Sequence, residues 1–215
     1  MRIARFCESY DGLMTKESRK TRVYDIVLAT ASPRRQAPIR KIECVRPIFM
    51  PVNADEVTLC GAERTAQANA RLKGESAARL TDLPVLAFDT VVGLGNAVFG
   101  KPHTAAEAVH MFETLCGRTH EVVTSVYFRV KGKIFQKSEK TSVTFGAFDR
   151  DLVYNYVNSG APFDKAGGYN IDDESVKPLI ARVDGDYYNV VGLPIALTEK
   201  LIEENLINGE DGYSA

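Results

Sequence analysis

The sequence predicts a mixed α/β fold, because three kinds of pattern follow one another along the chain. Short β-branched and apolar runs, of which VYDIVLAT at 23–30 is the first, are typical of buried strands. Runs of strong helix formers, as at 62–80, lie between them. Residues 120–148 alternate polar and apolar side chains on both sides of KGK, which predicts a long antiparallel hairpin.

The amino-terminal half is predicted as strand, helix, strand and helix. The first strand passes into a helix at ASPRRQAPIRKI, where Ser32 is a good N-cap and Pro33 suits the first helical position. Pro38 kinks or ends that helix early. The run CVRPIFMPV at 44–52 predicts a second strand, and a loop leads from it to a helix without internal proline.

The carboxyl-terminal half begins with a strand at 83–94 and a short returning strand at GNAVFG. A helix at 104–116 follows, in which Thr104 is the predicted N-cap and Glu107 completes a capping box. After the hairpin come a helix at 149–160 closed by Gly160, a strand at 176–188 and a helix at 192–207.

Charge and composition exclude several classes of protein. The formal net charge of −1 over 215 residues provides no basic field for nucleic acid or an anionic membrane. The four cysteines form no C-x-x-C pair, and the three histidines suggest no zinc site. No stretch approaches 18 apolar residues, and residues 1–24 lack the apolar core of a signal peptide. We therefore expect a cytoplasmic protein with a poorly ordered extension at 1–24 and a polar tail at 206–215.

Three cationic side chains are candidates for phosphate binding. Arg34 and Arg35 lie in the first turn of a predicted helix, where the helix dipole disfavours cations by roughly 0.3 to 1 kcal/mol each. Either a bound phosphate or acidic surface neighbours would compensate. Lys101 has the G-x-x-x-x-G-K spacing of a phosphate-binding loop, but Pro102 replaces the hydroxyl that holds Mg²⁺ there. Lys101 is therefore either a phosphate contact on a rigid Gly-Lys-Pro turn or a solvated lysine.

Carboxylates supply a second group of candidates. Asp89 lies in the middle of an apolar strand, and such a residue is usually paired, metal-bound, catalytic or hydrogen-bonded to backbone N–H groups. Asp55 and Glu56 follow a strand, where metal ligands are often presented, although solvated charges also occur there.

A glycine-rich segment supplies the last candidates. Gly167 and Gly168 permit close backbone approach to a ligand, and charged residues surround them. Tyr187, Tyr188 and Asn189 are expected to pack at the end of a strand. Separate cations together with several carboxylates suit a nucleoside triphosphate that carries Mg²⁺. The charged neighbours of the two glycines are Asp164, Lys165, Asp172 and Asp173.

Seven motifs resemble those of the Maf family of nucleoside triphosphate pyrophosphatases, also known as septum formation inhibitors. The resemblance implies hydrolysis between the α- and β-phosphates to a nucleoside monophosphate and pyrophosphate, with Mg²⁺ or Mn²⁺ as cofactor. It also implies an elongated α/β fold of the Maf/ITPase-like class, with two lobes around a deep cleft and frequently a homodimer. The motifs, which cover about 25–205, are LATASPRR at 28, DE at 55, FDTVV at 88, GKP at 100, GRTHEVVTSV at 117, DKAGGY at 164 and DGDYYNVVGLP at 184.

The resemblance also assigns roles to individual residues. Asp89 corresponds to the general base that deprotonates the attacking water. The implied metal ligands are Asp55, Glu56 and Asp89. The implied substrate contacts are Thr30, Arg34, Arg35, Lys73, Thr90, Lys101, Lys165 and Asp172.

The implied substrate depends on the motif around Asp89. The Asp89-Thr90 pair resembles the subgroup that acts on dTTP and UTP, rather than the one that acts on 7-methyl-GTP. Asp172, however, stands where that subgroup has a glutamine, and a carboxylate accepts hydrogen bonds without donating them. The preferred base therefore stays open, and CTP is included. Two further alternatives are a purine pyrophosphatase of the ITP type and a nucleotide-sensing, non-enzymatic regulator of cell division.

Overall fold

A mixed β-sheet organises residues 22–208, which are the part of the chain that the computed structural model describes. Its strands are β1 (Tyr24–Ala29), β2 (Val45–Phe49), β3 (Val85–Leu94), β4 (Ala97–Phe99), β5 (Thr119–Val130), β6 (Lys133–Phe145) and β7 (Ile180–Asp184). The order is β2-β1-β3-β5-β6-β7, and the short β4 pairs with β3. β1 pairs in parallel with β2 and β3, whereas the other pairs are antiparallel. The predicted mixed α/β class is confirmed.

Helices cover the sheet and follow the predicted order. They are α1 (Pro33–Ile39), α2 (Ala62–Ala78), α3 (Ala105–Leu115), α4 (Arg150–Asn158), α5 (Tyr187–Val191) and α6 (Ile195–Ile202), which continues as a π-helical turn at Glu203–Ile207. Short 3-10 turns occupy Ala161–Asp164, Ala166–Gly168 and Lys177–Leu179. Within the described range, every helix is too short or too polar to cross a bilayer. The predicted extension at 1–24 and the tail at 206–215 lie largely outside that range.

The predicted hairpin is formed by β5 and β6. Their register runs from Thr119 opposite Thr144 to Val130 opposite Lys133. Lys131 and Gly132 make the turn with φ values of 50° and 74°. Positive φ at both positions is typical of the two-residue turn that matches the twist of antiparallel strands.

Two predicted helix starts differ in their capping bonds. The Thr104 hydroxyl accepts from Glu107 N at 3.1 Å, as expected, but the Glu107 carboxylate accepts from His103 N, one residue before the predicted partner. Ser32 precedes α1, yet its side chain makes no capping bond. Thr30 Oγ1 accepts from Ser32 N at 3.1 Å instead.

The prediction of one strand at 176–188 was wrong at both ends. Only Ile180–Asp184 is extended, because a 3-10 turn at Lys177–Leu179 precedes it and Gly185, with φ of 125°, ends it. Asp186 then caps a short helix by accepting from Tyr188 N at 2.7 Å. The aromatic pair favours strands, but this local cap outweighs that preference.

Of the four hydrophobic clusters within residues 22–208, the two largest are built on different parts of the long strand β5, and we assign them to the two predicted lobes. Val126 and Phe128 of β5 pack in one cluster with α6, whereas Val122 of the same strand packs in the other with α3 and α4. Between them, β5 buries the polar residues Thr124 and Ser125. The junction of the lobes is therefore polar, and the functional candidates collect there.

Candidate active site

A cleft opens where the two lobes meet, and seven charged side chains from the described part of the chain line its wall among apolar and uncharged polar ones. β3 crosses its floor with Asp89 and Thr90, which pair with Ser125 and Thr124 of β5. Apolar side chains such as Phe99 complete the wall. The cleft brings together seven of the predicted site residues, namely Arg34, Arg35, Glu56, Lys73, Asp89, Thr90 and Lys101.

Lys73 of α2 bridges two carboxylates in the cleft. Its Nζ lies 2.6 Å from Asp89 Oδ1 and 2.8 Å from Glu56 Oε1. The Asp89 side chain is 7% exposed and that of Lys73 is 15% exposed, whereas Glu56 is 43% exposed. The ammonium therefore compensates a buried carboxylate that would otherwise be costly in an apolar strand.

Burial and charge move the pKa values of the two carboxylates in opposite directions. Burial raises the pKa of Asp89, although Lys73 and Arg35 act in the opposite sense. At Glu56, burial is outweighed by the hydrogen bond and charge of Lys73 and by the charge of Lys101, so its pKa is lowered. Asp89 is therefore a stronger base than an ordinary aspartate, whereas Glu56 is a weaker base than an ordinary glutamate. Of the two, Asp89 is the one suited to proton abstraction.

Arg35 is a cation surrounded by neutral oxygens. It donates to Gly192 O at 2.8 Å, to Thr90 Oγ1 at 3.0 Å and to Thr30 Oγ1 at 3.3 Å. Burial lowers the pKa of Arg35 to about 10, and the charges of Asp89 and Glu56 oppose that shift. The guanidinium stays charged at neutral pH. Because its hydrogen bonds within residues 22–208 go to neutral groups, its charge is available to an anion in the cleft.

The Arg35 site requires a glycine that the sequence did not single out. Gly192 has φ of 105°, and a Cβ there would lie 2.9 Å from Thr90 Oγ1 and 3.4 Å from Arg35 Nε. Any side chain would therefore strain the backbone and displace the guanidinium. The sequence feature that could have identified Gly192 is the glycine of the VVGLP motif, directly after α5.

The glycine-rich loop at 164–169 contacts both Arg34 and the turn that carries Lys101. Arg34 donates to Asp164 O at 3.0 Å, and the Asp164 carboxylate lies 4.0 Å from the same guanidinium. Gly167 N donates to Gly100 O at 2.9 Å, which fastens the loop to the turn that carries Lys101. At Gly167 the close packing is against the protein itself, since a Cβ there would lie 2.8 Å from Val92 Cγ2, and the approach to a ligand stays a prediction.

The structure distinguishes between the adjacent acids Asp55 and Glu56. Glu56 reaches Lys73, whereas Asp55 is exposed and lies off the wall of the cleft. Thr30 is buried behind the wall, where it supports Arg35. The metal role of Asp55 and the substrate role of Thr30 stay predictions.

Two predicted substrate contacts also lie off the wall of the cleft. Lys165 bonds Ala161 O and the neighbouring Asp164 carboxylate. Asp172 is exposed and accepts a hydrogen bond from the Tyr187 hydroxyl. Neither residue is brought to the cluster around Lys73, and their roles stay predictions.

Two carboxylates of the cleft could contribute ligands to a metal ion. Mg²⁺ is usually held by one or two carboxylates together with substrate phosphates. Glu56 and Asp89 converge on one ammonium, so they can share a second cationic partner in the cleft. Among the described residues, no group of three or more His, Cys, Asp or Glu side chains is arranged to hold a metal. Glu56 and Asp89 are cleft carboxylates that could hold a metal together with phosphate oxygens.

Comparisons with known proteins find relatives of similar sequence over most of the chain. The dTTP/UTP pyrophosphatase of Thermosipho africanus is 37% identical over 189 residues, which are 87% of this chain and 97% of that protein. The dTTP/UTP pyrophosphatase of Pseudoalteromonas translucida is 38% identical over 186 residues, or 83% of this chain and 95% of that protein.

A solved structure shows the same fold at low sequence identity. The Ham1 protein of Staphylococcus aureus matches with a TM-score of 0.53 and 15% identity, over 84% of this chain and 99% of that chain. The sequence pattern described as "Maf-like protein" matches residues 25–205, the span in which the cleft residues lie. With that match and relatives above 30% identity, the chain belongs to the Maf-like family.

Proposed function

We propose that this protein is a nucleoside triphosphate pyrophosphatase that hydrolyses dTTP and UTP to the monophosphate and pyrophosphate. The observation that carries the proposal is the position of Asp89, a base with a raised pKa, in a cleft lined by cationic side chains. The preference for the nucleobases thymine and uracil comes from the relatives, which carry the name dTTP/UTP pyrophosphatase. The cations are Arg34, Arg35, Lys73 and Lys101.

In the proposed reaction, Asp89 accepts a proton from a water molecule while the oxygen of that water forms a bond to the α-phosphorus of the substrate. The bond from that phosphorus to the bridging oxygen breaks, and pyrophosphate leaves. Arg35 and Lys101 neutralise the charge that develops on the leaving group. Lys73 orients Asp89 through Oδ1.

We further propose Mg²⁺ or Mn²⁺ as the cofactor, held with the triphosphate by Glu56 and Asp89. Such a cation supplies charge neutralisation on the phosphates when it is bound. Treatment with EDTA is expected to abolish turnover, and added Mg²⁺ or Mn²⁺ to restore it. Turnover that persists in EDTA would remove the cofactor from the proposal. The predicted homodimer and cytoplasmic location stay predictions.

A substrate panel tests the function directly. The purified chain with Mg²⁺ is incubated with dTTP, UTP, CTP, ITP and 7-methyl-GTP, and pyrophosphate is measured separately from orthophosphate. We expect pyrophosphate from dTTP and UTP. Orthophosphate as the product would contradict cleavage between the α- and β-phosphates. A preference for ITP would favour the purine alternative, and binding without turnover would favour the nucleotide sensor.

A further inference from the structure

We propose that Asn69 is a positioning residue for Glu56, acting through the backbone of the loop that carries this carboxylate. The inference rests on the proposed function and extends it to a residue of the cleft wall whose side-chain amide is bonded to the backbone of Val57. Asn69 lies on α2, one helical turn before Lys73.

The evidence begins with two hydrogen bonds between Asn69 and the backbone of one residue. Val57 N donates to Asn69 Oδ1 at 2.8 Å, and Asn69 Nδ2 donates to Val57 O at 3.1 Å. Asn69 is 4% exposed, whereas Val57 is 40% exposed, so the two bonds are buried on the side of the amide only. Val57 lies outside the sheet, and the Asn69 amide bonds its backbone N–H and C=O as a neighbouring strand would.

A second side chain of α2 anchors the same loop in a similar way. Leu59 N donates to Thr65 Oγ1 at 3.0 Å, and this hydroxyl lies 3.0 Å from Leu59 O and from Gly61 O. Thr65 is 3% exposed. Thr65, Asn69 and Lys73 are spaced by four residues and therefore share one face of the helix.

Glu56 depends on this anchoring because its own side chain is poorly confined. It is 43% exposed, and a half-exposed ion pair alone contributes little toward ordering a loop. Val57 is the next residue, so the two bonds of Asn69 fix the backbone from which Glu56 extends. One face of α2 therefore presents Lys73 and also holds the loop whose carboxylate meets it.

A double-mutant cycle tests the coupling between Asn69 and Glu56. We compare the parent chain, Asn69→Ala, Glu56→Gln and the double variant by kcat and KM on the best pyrimidine triphosphate. Asn69→Ala is expected to lower kcat about 10- to 100-fold with KM within about twofold, because small displacements at a reacting site are costly. In the Glu56→Gln background, Asn69→Ala is expected to have no further effect on kcat.

The outcomes separate positioning from general structural damage. An equal loss of kcat from Asn69→Ala in both backgrounds, or no loss in the parent chain, would overturn the inference. Asn69→Asp is measured alongside, since it keeps the acceptor for Val57 N but loses the donor, and its kcat is expected to lie between the other two. Should Asn69→Ala fail to fold, equal activity of Asn69→Asp and the parent chain would also overturn it.

A matched control and a readout without substrate complete the test. Gln67→Ala changes the same helix, but Gln67 Nε2 faces Ser138 Oγ at 3.3 Å and not the loop. It is expected to retain the parent kcat within about twofold. Hydrogen exchange at the Val57 amide should accelerate at least about tenfold in Asn69→Ala alone. Unchanged exchange there would contradict the anchoring, whereas an inactive parent chain would instead count against the proposed function.

Discussion

At the scale of single residues, the cleft combines groups that would each be unfavourable alone. Asp89 is a carboxylate in an apolar strand, and Arg35 is a cation bonded to neutral oxygens. Lys73 compensates the first, and the mutual attraction of Asp89 and Arg35 favours the charged form of both. The sequence indicated that Asp89 and Arg35 were unusual, because burial in a strand and a position at a helix start are local features.

Replacing Asp89 tests the assigned base. Asp89→Asn is expected to lower kcat by about 10² to 10⁴, the usual contribution of general base catalysis, because an amide cannot take the proton. The fold should persist, since Lys73 keeps Glu56 as a partner. Pyrophosphate release and circular dichroism are measured together, with Asp151→Asn at an exposed position of α4 as the control. Full activity of Asp89→Asn would show that another group is the base.

Buried His120 predicts acid sensitivity of the fold. Its Nε2 lies 2.8 Å from the Tyr169 hydroxyl, its Nδ1 has no partner among the described residues, and burial lowers its pKa to about 4. The unfolded chain, with a histidine pKa near 6.5, therefore binds the proton first. The contribution of neutral His120 to the free energy of unfolding is about 3 kcal/mol. It is present in full above about pH 6.5 and is lost as the pH falls toward 4.

Variants of the histidines isolate this contribution. His120→Phe should flatten the pH dependence of the free energy of unfolding between about pH 4 and 6.5, measured by urea denaturation. His110→Asn, at a side chain that is 78% exposed, should retain the parent slope. Equal slopes for His120→Phe and the parent chain would contradict the assignment.

At the scale of elements, α2 is the helix that positions the site. Its small residues Ala66, Ala70, Gly74 and Ala77 are buried against the sheet, which lets the helix approach β3 and β5 closely. The sequence predicted this helix from its strong helix formers, and the structure ends it at Ala78, two residues before the predicted end. The close approach places Lys73 beside Asp89.

Gly74 tests the close packing of α2. Alanine normally stabilises a helix relative to glycine by about 0.5 to 1 kcal/mol, but a Cβ at Gly74 would lie 2.1 Å from the Tyr127 ring. Gly74→Ala is therefore expected to destabilise the fold by about 1 to 3 kcal/mol in urea denaturation. Gly100→Ala, where a Cβ meets open space, should change stability by less than about 0.5 kcal/mol. A stabilised Gly74→Ala would show that the helix is not in close contact.

At the scale of the whole molecule, one asparagine connects the carboxyl-terminal segment to the sheet. Asn189 Oδ1 accepts from Thr124 N at 3.0 Å, and its Nδ2 donates to Val122 O at 2.9 Å and Thr141 Oγ1 at 3.0 Å. Thr124 Oγ1 in turn lies 2.9 Å from Thr90 Oγ1. The network, which is buried at Asn189 and Thr124 and partly exposed at Thr90, therefore runs from α5 through the junction of the lobes to the floor of the cleft.

Removing this connection is expected to be costly. Asn189→Ala leaves buried backbone groups of β5 without partners and should lower the free energy of unfolding by about 2 to 4 kcal/mol. Asn155→Ala, at an exposed position of α4, serves as the control and should be nearly neutral. A loss at Asn189 no larger than the control value would show that water replaces the amide.

The sequence by itself determined the order of the elements, the long hairpin and the burial of Asp89. Turn residues, helix caps and the period of apolar side chains act over a few neighbouring positions, so they can be recognised without a fold. The motifs also identified most of the residues that line the cleft, because family motifs preserve residue types in order. The strand predicted through Tyr187 and Tyr188 was wrong because two local preferences competed there.

Only the tertiary structure decided which groups meet. Glu56 rather than Asp55 faces Lys73, and Asn69 lies against Val57, because α2 folds back over the loop that precedes it. Asp172 is directed to Tyr187. These contacts join residues that are 12 to 17 positions apart, and their geometry depends on how helix, loop and sheet pack. Local patterns carry no information on that packing, which is why the sequence predicted the chemistry of the cleft but not the partners within it.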